Sequence, residues 1–153
     1  MKLGLTAGAS KRHAAAKGKE IRARIMEGLE GFAELSAAIQ QRAEGDVLKG
    51  IDGRPIRLQG KRHAALNYLL QSCGAVICKL WVLRTHELLL EAGVDYYPLA
   101  FVHDEQQLSV APSQAEMAGS ITTYAMKDVQ HALNFKCQLD SEFQIGKSWA
   151  DCH

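Results

Sequence analysis

The chain has 153 residues, 47% of them hydrophobic, and its 18 Lys and Arg against 17 Asp and Glu give a formal net charge of +1. That length is one ordinary domain, and that composition supplies a core, which excludes a disordered or low-complexity chain. No run of 18 apolar residues occurs, and MKLGLTAGASKRH lacks the apolar centre of a secretory signal, so the expectation is a cytoplasmic protein with no membrane span.

The near-neutral total conceals a split. Met1 to Arg62 carries 13 basic and 7 acidic residues; His63 to His153 carries 5 and 10. The division fits a polyanion held by the first part and a cation by the second, or two solvated faces of opposite sign. Cys73, Cys78, Cys137 and Cys152 form no CxxC pair and no zinc-like spacing, and read as reduced thiols in a core.

In chain order, residues 11 to 42 predict helix with a break near Gly28 and Gly31. KRHAAAKGKEIRAR puts Lys17, Lys19, Arg22 and Arg24 along an exposed surface and pairs Ile21 with Ile25 at i, i+4. KGIDGRPIRL contains Asp52-Gly53, a hairpin signal because both residues tolerate the positive φ of a type I′ turn. Pro55 sets its strand at an edge or a bulge. From about Arg62 to Ala92 a proline-free stretch rich in Leu, Ala, Val and Ile predicts a central, largely buried helix, ended by Gly93. YYPLAFV and QQLSV predict strands on either side of a tip made of His103, Asp104 and Glu105. Ser113 to Glu116 has the S-x-x-E form of a capping box and opens a helix through Asn134. FKCQLDSEFQI alternates and reads as a final strand, and GKSWADCH closes the chain. The fold class is α+β with antiparallel pairing.

Two constellations carry chemistry. Adjacent carboxylates on a rigid turn suit Mg²⁺, which takes hard oxygen ligands and fills its shell with water and substrate phosphate oxygens. In a two-metal site with ions about 3.5 to 4 Å apart, a bridging aspartate supports in-line attack at phosphorus. Asp104 also reads as simply a good turn residue, with Glu105 as its solvated neighbour. The second constellation is the row His63, Asn67 and Gln71, at i, i+4 and i+8 on an otherwise apolar helix. Amides there can donate to purine N3 and pyrimidine O2, minor-groove acceptors present in every base pair, and so test duplex geometry without reading sequence. They can also cap or bond a neighbouring loop.

Taken in order, IDGRPIRL, HAALNYLLQSCGAVICKLW, FVHDE and GKSWADCH resemble four C-terminal segments of the family A DNA polymerases, and within them the replicative enzymes of short-tailed bacteriophages. The likeness runs through essentially the whole chain, and the basic helical segment after Met1 is similar to the later fingers helices. It implies that residues 1–45 end the fingers and that 46–153 form a C-terminal palm portion, an antiparallel palm-type sheet carrying motif C on long helices. Asp104 would then be a Mg²⁺ ligand, Glu105 its supporting carboxylate and His103 their neighbour at the tip. Asn67, Gln71 and His63 would meet the minor groove. Arg57, Arg62, Lys17, Lys19, Arg22 and Arg24 would contact phosphates, and His153 would approach the active site.

The family also uses a motif A aspartate and a nucleotide-binding fingers helix, and neither occurs in this sequence. The resemblance therefore implies the C-terminal fragment of a split DNA-directed DNA polymerase, inactive alone, in the cytoplasm of an infected bacterial host. An N-terminal fragment would join it as a heterodimer and share two Mg²⁺ ions, with primer–template DNA and dNTP as substrates. A non-catalytic DNA-binding remnant is the alternative. A stand-alone metal-dependent phosphohydrolase would need further carboxylates near Asp104.

Overall fold

The computed structural model describes residues 13–152. The expectations for the basic residues before His13 and for His153 lie outside them. Contacts divide the chain into one unit running to Ser72 and another starting at Cys73.

In the first unit, helix α1 (Ala14–Gly28) and helix α2 (Phe32–Arg42) are separated where the glycines predicted a break. Gly31 adopts φ 74, a conformation open to glycine because it lacks a Cβ, and its carbonyl accepts the Leu35 N–H at 3.0 Å. Strands β1 (Val47–Lys49) and β2 (Pro55–Arg57) pair antiparallel with Leu48 opposite Ile56. Asp46 fastens the far end of this hairpin. Its backbone carbonyl accepts Leu58 N–H at 2.9 Å, and its Oδ1 accepts Gly60 N–H at 2.8 Å. Ile39, Ala43, Leu48, Leu58 and Ala65 form the buried cluster beneath.

The hairpin loop differs from the type I′ turn expected. Positive φ falls on Gly53, at 83°, and not on Asp52. Gly53 N–H bonds Gly50 O at 3.0 Å and Gly50 N–H bonds Arg54 O at 2.9 Å, so the loop is longer than two residues. Asp52 supplies the reason: its Oδ1 accepts Arg54 N–H at 3.1 Å, a local side-chain bond that favours the wider loop.

Helix α3 (Ala65–Glu91) follows a 3₁₀ turn at Arg62–Ala64, and the division between the units falls within it. It ends as predicted. Gly93 takes φ 66, Val94 N–H bonds Leu89 O at 3.0 Å, Gly93 N–H bonds Leu90 O at 3.1 Å, and Leu89 packs against Val94. In the second unit, β3 (Tyr96–Val102) and β4 (Glu105–Val110) form an antiparallel hairpin, and helix α4 (Ala115–Ala132) comes next. The register slips between Pro98 and Ala100, leaving Leu99 without a partner. That bulge is why the apolar alternation of YYPLAFV is imperfect. Trp81 of α3 donates from Nε1 to the Thr122 carbonyl at 2.8 Å and packs on Ala125, Met126 and Val129 of α4.

Several expectations are corrected. Helix α3 is not largely buried: Trp81, Thr85 and Leu89, at i, i+4 and i+8, are buried, while Leu70, Leu83 and Leu90 are 59%, 59% and 60% exposed. A helix apolar all round needs cover on several sides, and in this unit one side receives it. By length and composition alone the stretch Arg62–Glu91 could also cross a membrane, with a window of mean hydropathy 1.4. None of the four cysteines is buried. Ser113 and Glu116 form no capping box; Gln114 precedes α4, and its Oε1 instead accepts Asp95 N–H at 3.1 Å.

FKCQLDSEFQI is not a strand. It is held by side chains of α4: Gln130 Oε1 accepts Leu139 N–H at 2.7 Å, and the Phe143 ring lies directly on Gly119. The reciprocal capping box occurs later, between Ser148 and Asp151. Asp151 Oδ2 there accepts from the backbone of Lys147 and Ser148 and from the Ser148 hydroxyl, all within 2.9 to 3.0 Å.

Candidate functional site: a carboxylate turn and an amide row

The β3–β4 turn brings His103, Asp104 and Glu105 together. Val102 pairs with Glu105, so the connection is His103 and Asp104, with positive φ (58°) at His103 and none at Asp104. A histidine tolerates the left-handed region better than a branched residue would, and this conformation reverses the chain in two residues. The Asp104 carboxylate is exposed. Among the described residues no hydrogen bond or ion pair engages it. Glu105 is half-buried, and its Oε1 accepts from Gln107 Nε2 two residues along the same strand face.

The hairpin is tied to α3 at two levels. Gln106 Nε2 donates to Thr85 Oγ1 at 3.0 Å, with Thr85 only 1% exposed. Tyr96 at the other end of the hairpin meets His86 Nδ1 through its hydroxyl. Burial pushes the Cys78 thiol up, and the nearby Asp104 carboxylate pushes it further, because a second negative charge beside Asp104 is unfavourable. Gln106, Gln107 and Thr85 were not singled out from the sequence. The two glutamines directly after the acidic tip, and a threonine inside an apolar helix, were the available signals.

The carboxylate set fits Mg²⁺ in chemistry. Hard oxygen donors stand at an exposed turn, and Asp104 has no competing partner among the described residues. No group of three or more His, Cys, Asp or Glu able to hold a metal occurs among the described residues.

The amide row lies on the first turns of α3, where Asn67 and Gln71 share one face at i, i+4. Both are exposed, and among the described residues nothing hydrogen-bonds either side chain. His63 is exposed too, but it sits in the 3₁₀ turn before the helix, so its place in the row is not the regular i, i+4 one. Arg57 and Arg62 are exposed on β2 and at that turn.

The basic residues of α1 divide into two kinds. Lys17 and Arg24 both bind Glu20, at 3.0 and 2.7 Å, and the Lys17 hydrogen bond holds the Glu20 carboxyl below its ordinary range. Lys19 and Arg22 are exposed, and neither makes an ion pair among the described residues.

Residues 36–151 match DNA polymerase family A. The chain belongs to that family. The DNA-directed DNA polymerase of Enterobacteria phage T3 is 36% identical over 174 aligned residues, covering 99% of this chain and 24% of that protein. The corresponding polymerase of Escherichia phage T7 is 37% identical, with the same coverage. The chain thus spans about a quarter of the length of these relatives. Among solved structures, the POL domain of Pol1 from M. smegmatis, in complex with DNA primer-template and dNTP, matches 83% of this chain with a TM-score of 0.69 at 17% identity, over 24% of its own length. Mixed helices with small antiparallel hairpins are therefore a family A polymerase fold.

Proposed function

We infer that this chain is the C-terminal part of a split DNA-directed DNA polymerase, with residues 1–45 ending the fingers and 46–153 forming a palm portion that carries motif C. An N-terminal polymerase fragment would complete it as a heterodimer on primer–template DNA, using dNTP, in the cytoplasm of an infected bacterial cell. The observation that carries this reading is the free Asp104 carboxylate at a two-residue turn, in a chain whose residues 36–151 match the family.

Asp104 would hold Mg²⁺ together with an acid from the N-terminal fragment. Glu105, oriented by Gln107, would serve as the supporting carboxylate beside it. Two bound Mg²⁺ ions would supply activation of the primer 3′-hydroxyl and neutralisation of the leaving pyrophosphate. His103 sets the turn that presents Asp104, and His153 would lie near the reacting groups. Asn67 and Gln71, with His63 beside them, would donate to minor-groove acceptors of the newly paired bases. A mispair that displaces an acceptor leaves an amide unpaired at a cost of about 1 to 3 kcal/mol. Arg57, Arg62 and the basic residues of α1 would contact phosphates, so binding should weaken with salt.

The test is complementation. This chain mixed with a polypeptide carrying the N-terminal portion should give Mg²⁺-dependent primer extension that neither gives alone. Salt-sensitive duplex binding without extension in the mixture would reject this reading and leave a DNA-binding remnant.

A further inference from the structure

Past the end of α4 the chain folds back on the helix. Asn134 turns it at φ 49, and Gln130 Oε1 accepts Leu139 N–H at 2.7 Å. The fold-back makes a cleft of about 300 Å³, at the lower end of small-ligand sites, lined by Lys127, Gln130, His131, Lys136, Gln138 and Leu139. Lys127 and Lys136 therefore reach one space from two segments that Gln130 fastens together.

No acid lines this cleft, and among the described residues neither lysine nor His131 makes an ion pair. The acids beside them in sequence are engaged elsewhere: Asp128 accepts from Arg84 Nε at 2.8 Å, and Asp140 Oδ1 accepts Ser141 N–H at 3.0 Å. Gln130 spends its oxygen on Leu139, which leaves its Nε2 hydrogens as donors. A helix C-terminus by itself disfavours an anion. Here the chain's own N–H groups close the last carbonyls, Leu133 on Val129, Asn134 on His131 and Phe135 on Gln130, all at 3.0 Å.

Two ammonium groups and amide donors with no carboxylate among them match a compact anion that carries about two charges on several acceptor oxygens. We propose that this cleft binds a free phosphate dianion, inorganic phosphate or pyrophosphate. An internal phosphate of DNA carries one charge and neutralises the lysine pair less completely. The site uses no residue of the Asp104 turn, the amide row or the basic residues assigned to DNA, so it stands or falls apart from the polymerase reading.

The test uses the full chain without divalent cations, so that the Asp104 turn takes no part, at an ionic strength held constant with sodium chloride. Isothermal titration with orthophosphate and with pyrophosphate should show saturable binding. Either anion should slow hydrogen exchange of the Leu139 amide by pinning the fold-back to α4. Lys127→Gln with Lys136→Gln should weaken pyrophosphate binding tenfold or more, as loss of two charge-assisted hydrogen bonds does, and should abolish the slowed exchange. Lys79→Gln with Lys147→Gln removes the same charge from exposed positions outside the cleft and should change neither.

Equal losses from the two lysine pairs, binding no stronger than the chloride background, or a Leu139 amide that exchanges at the same rate under saturating pyrophosphate would each overturn the proposal. So would a short oligo(dT) that binds more tightly than pyrophosphate and needs Lys127 and Lys136 to do so, since the cleft would then belong to a nucleic-acid strand.

Discussion

Gln106 donates to the hydroxyl of Thr85 at 3.0 Å, which fastens the strand leaving the Asp104 turn to a buried position on the long helix. A threonine among leucines on an apolar helix is costly unless its hydroxyl is satisfied, and here the hairpin satisfies it. Thr85→Val should therefore destabilise the chain by about 1 to 3 kcal/mol by stranding the Gln106 amide, while Thr85→Val with Gln106→Leu should recover most of that loss. Urea denaturation of the single and double variants measures both. A double variant as unstable as the sum of its singles would contradict this role.

Gly119 and Phe143 form the second tie. A Cβ at Gly119 would lie 2.2 to 2.5 Å from carbons of the Phe143 ring, including Cγ, so the ring cannot move aside by rotating its far end. Gly119→Ala should cost about 1 to 3 kcal/mol and loosen the segment after Asn134, read as faster protease cleavage there. Adding Phe143→Ala should make Gly119→Ala nearly silent, because the clash partner is gone.

The Glu20 carboxyl titrates below its ordinary value, mainly through its hydrogen bond from Lys17 and then through the Lys17 and Arg24 charges. A carboxyl depressed in the folded state contributes stability above its unfolded pKa and loses it as pH falls through the folded one. Helix α1 should accordingly weaken on acidification through the lower carboxylate range. Carboxyl NMR titration of wild type and Lys17→Gln checks this, with the Glu20 midpoint expected to rise in the variant.

Much of this architecture was legible in the sequence because its signals are local. Gly93 ends α3 where the sequence puts a C′ glycine, and the YYPLAFV and QQLSV runs pair around the His103–Asp104 turn. The failures needed information beyond local pattern. FKCQLDSEFQI alternates like a strand, but a strand requires an edge to join, and this segment finds Gln130 and Gly119 on a helix instead. Ser113 and Glu116 have capping spacing, yet the helix starts two residues after Ser113 and Gln114 is drawn to Asp95, whereas Ser148 and Asp151 complete the box. Burial of α3 was overestimated because apolar content reports which surfaces seek cover, and Leu70, Leu83 and Leu90 lack it here. The position of His103 and Asp104 at a turn, and of Asn67 and Gln71 on one helix face, could be read from local pattern. The Thr85 and Gln107 contacts that hold the tip depend on how strand and helix meet.

The Asp104 side chain is where the polymerase reading is tested most directly. In the complemented mixture, Asp104→Ala should abolish Mg²⁺-dependent primer extension while co-purification of the fragments and duplex binding stay at wild-type levels. Extension by that variant at a rate near wild type would contradict the assignment of Asp104 to the metal.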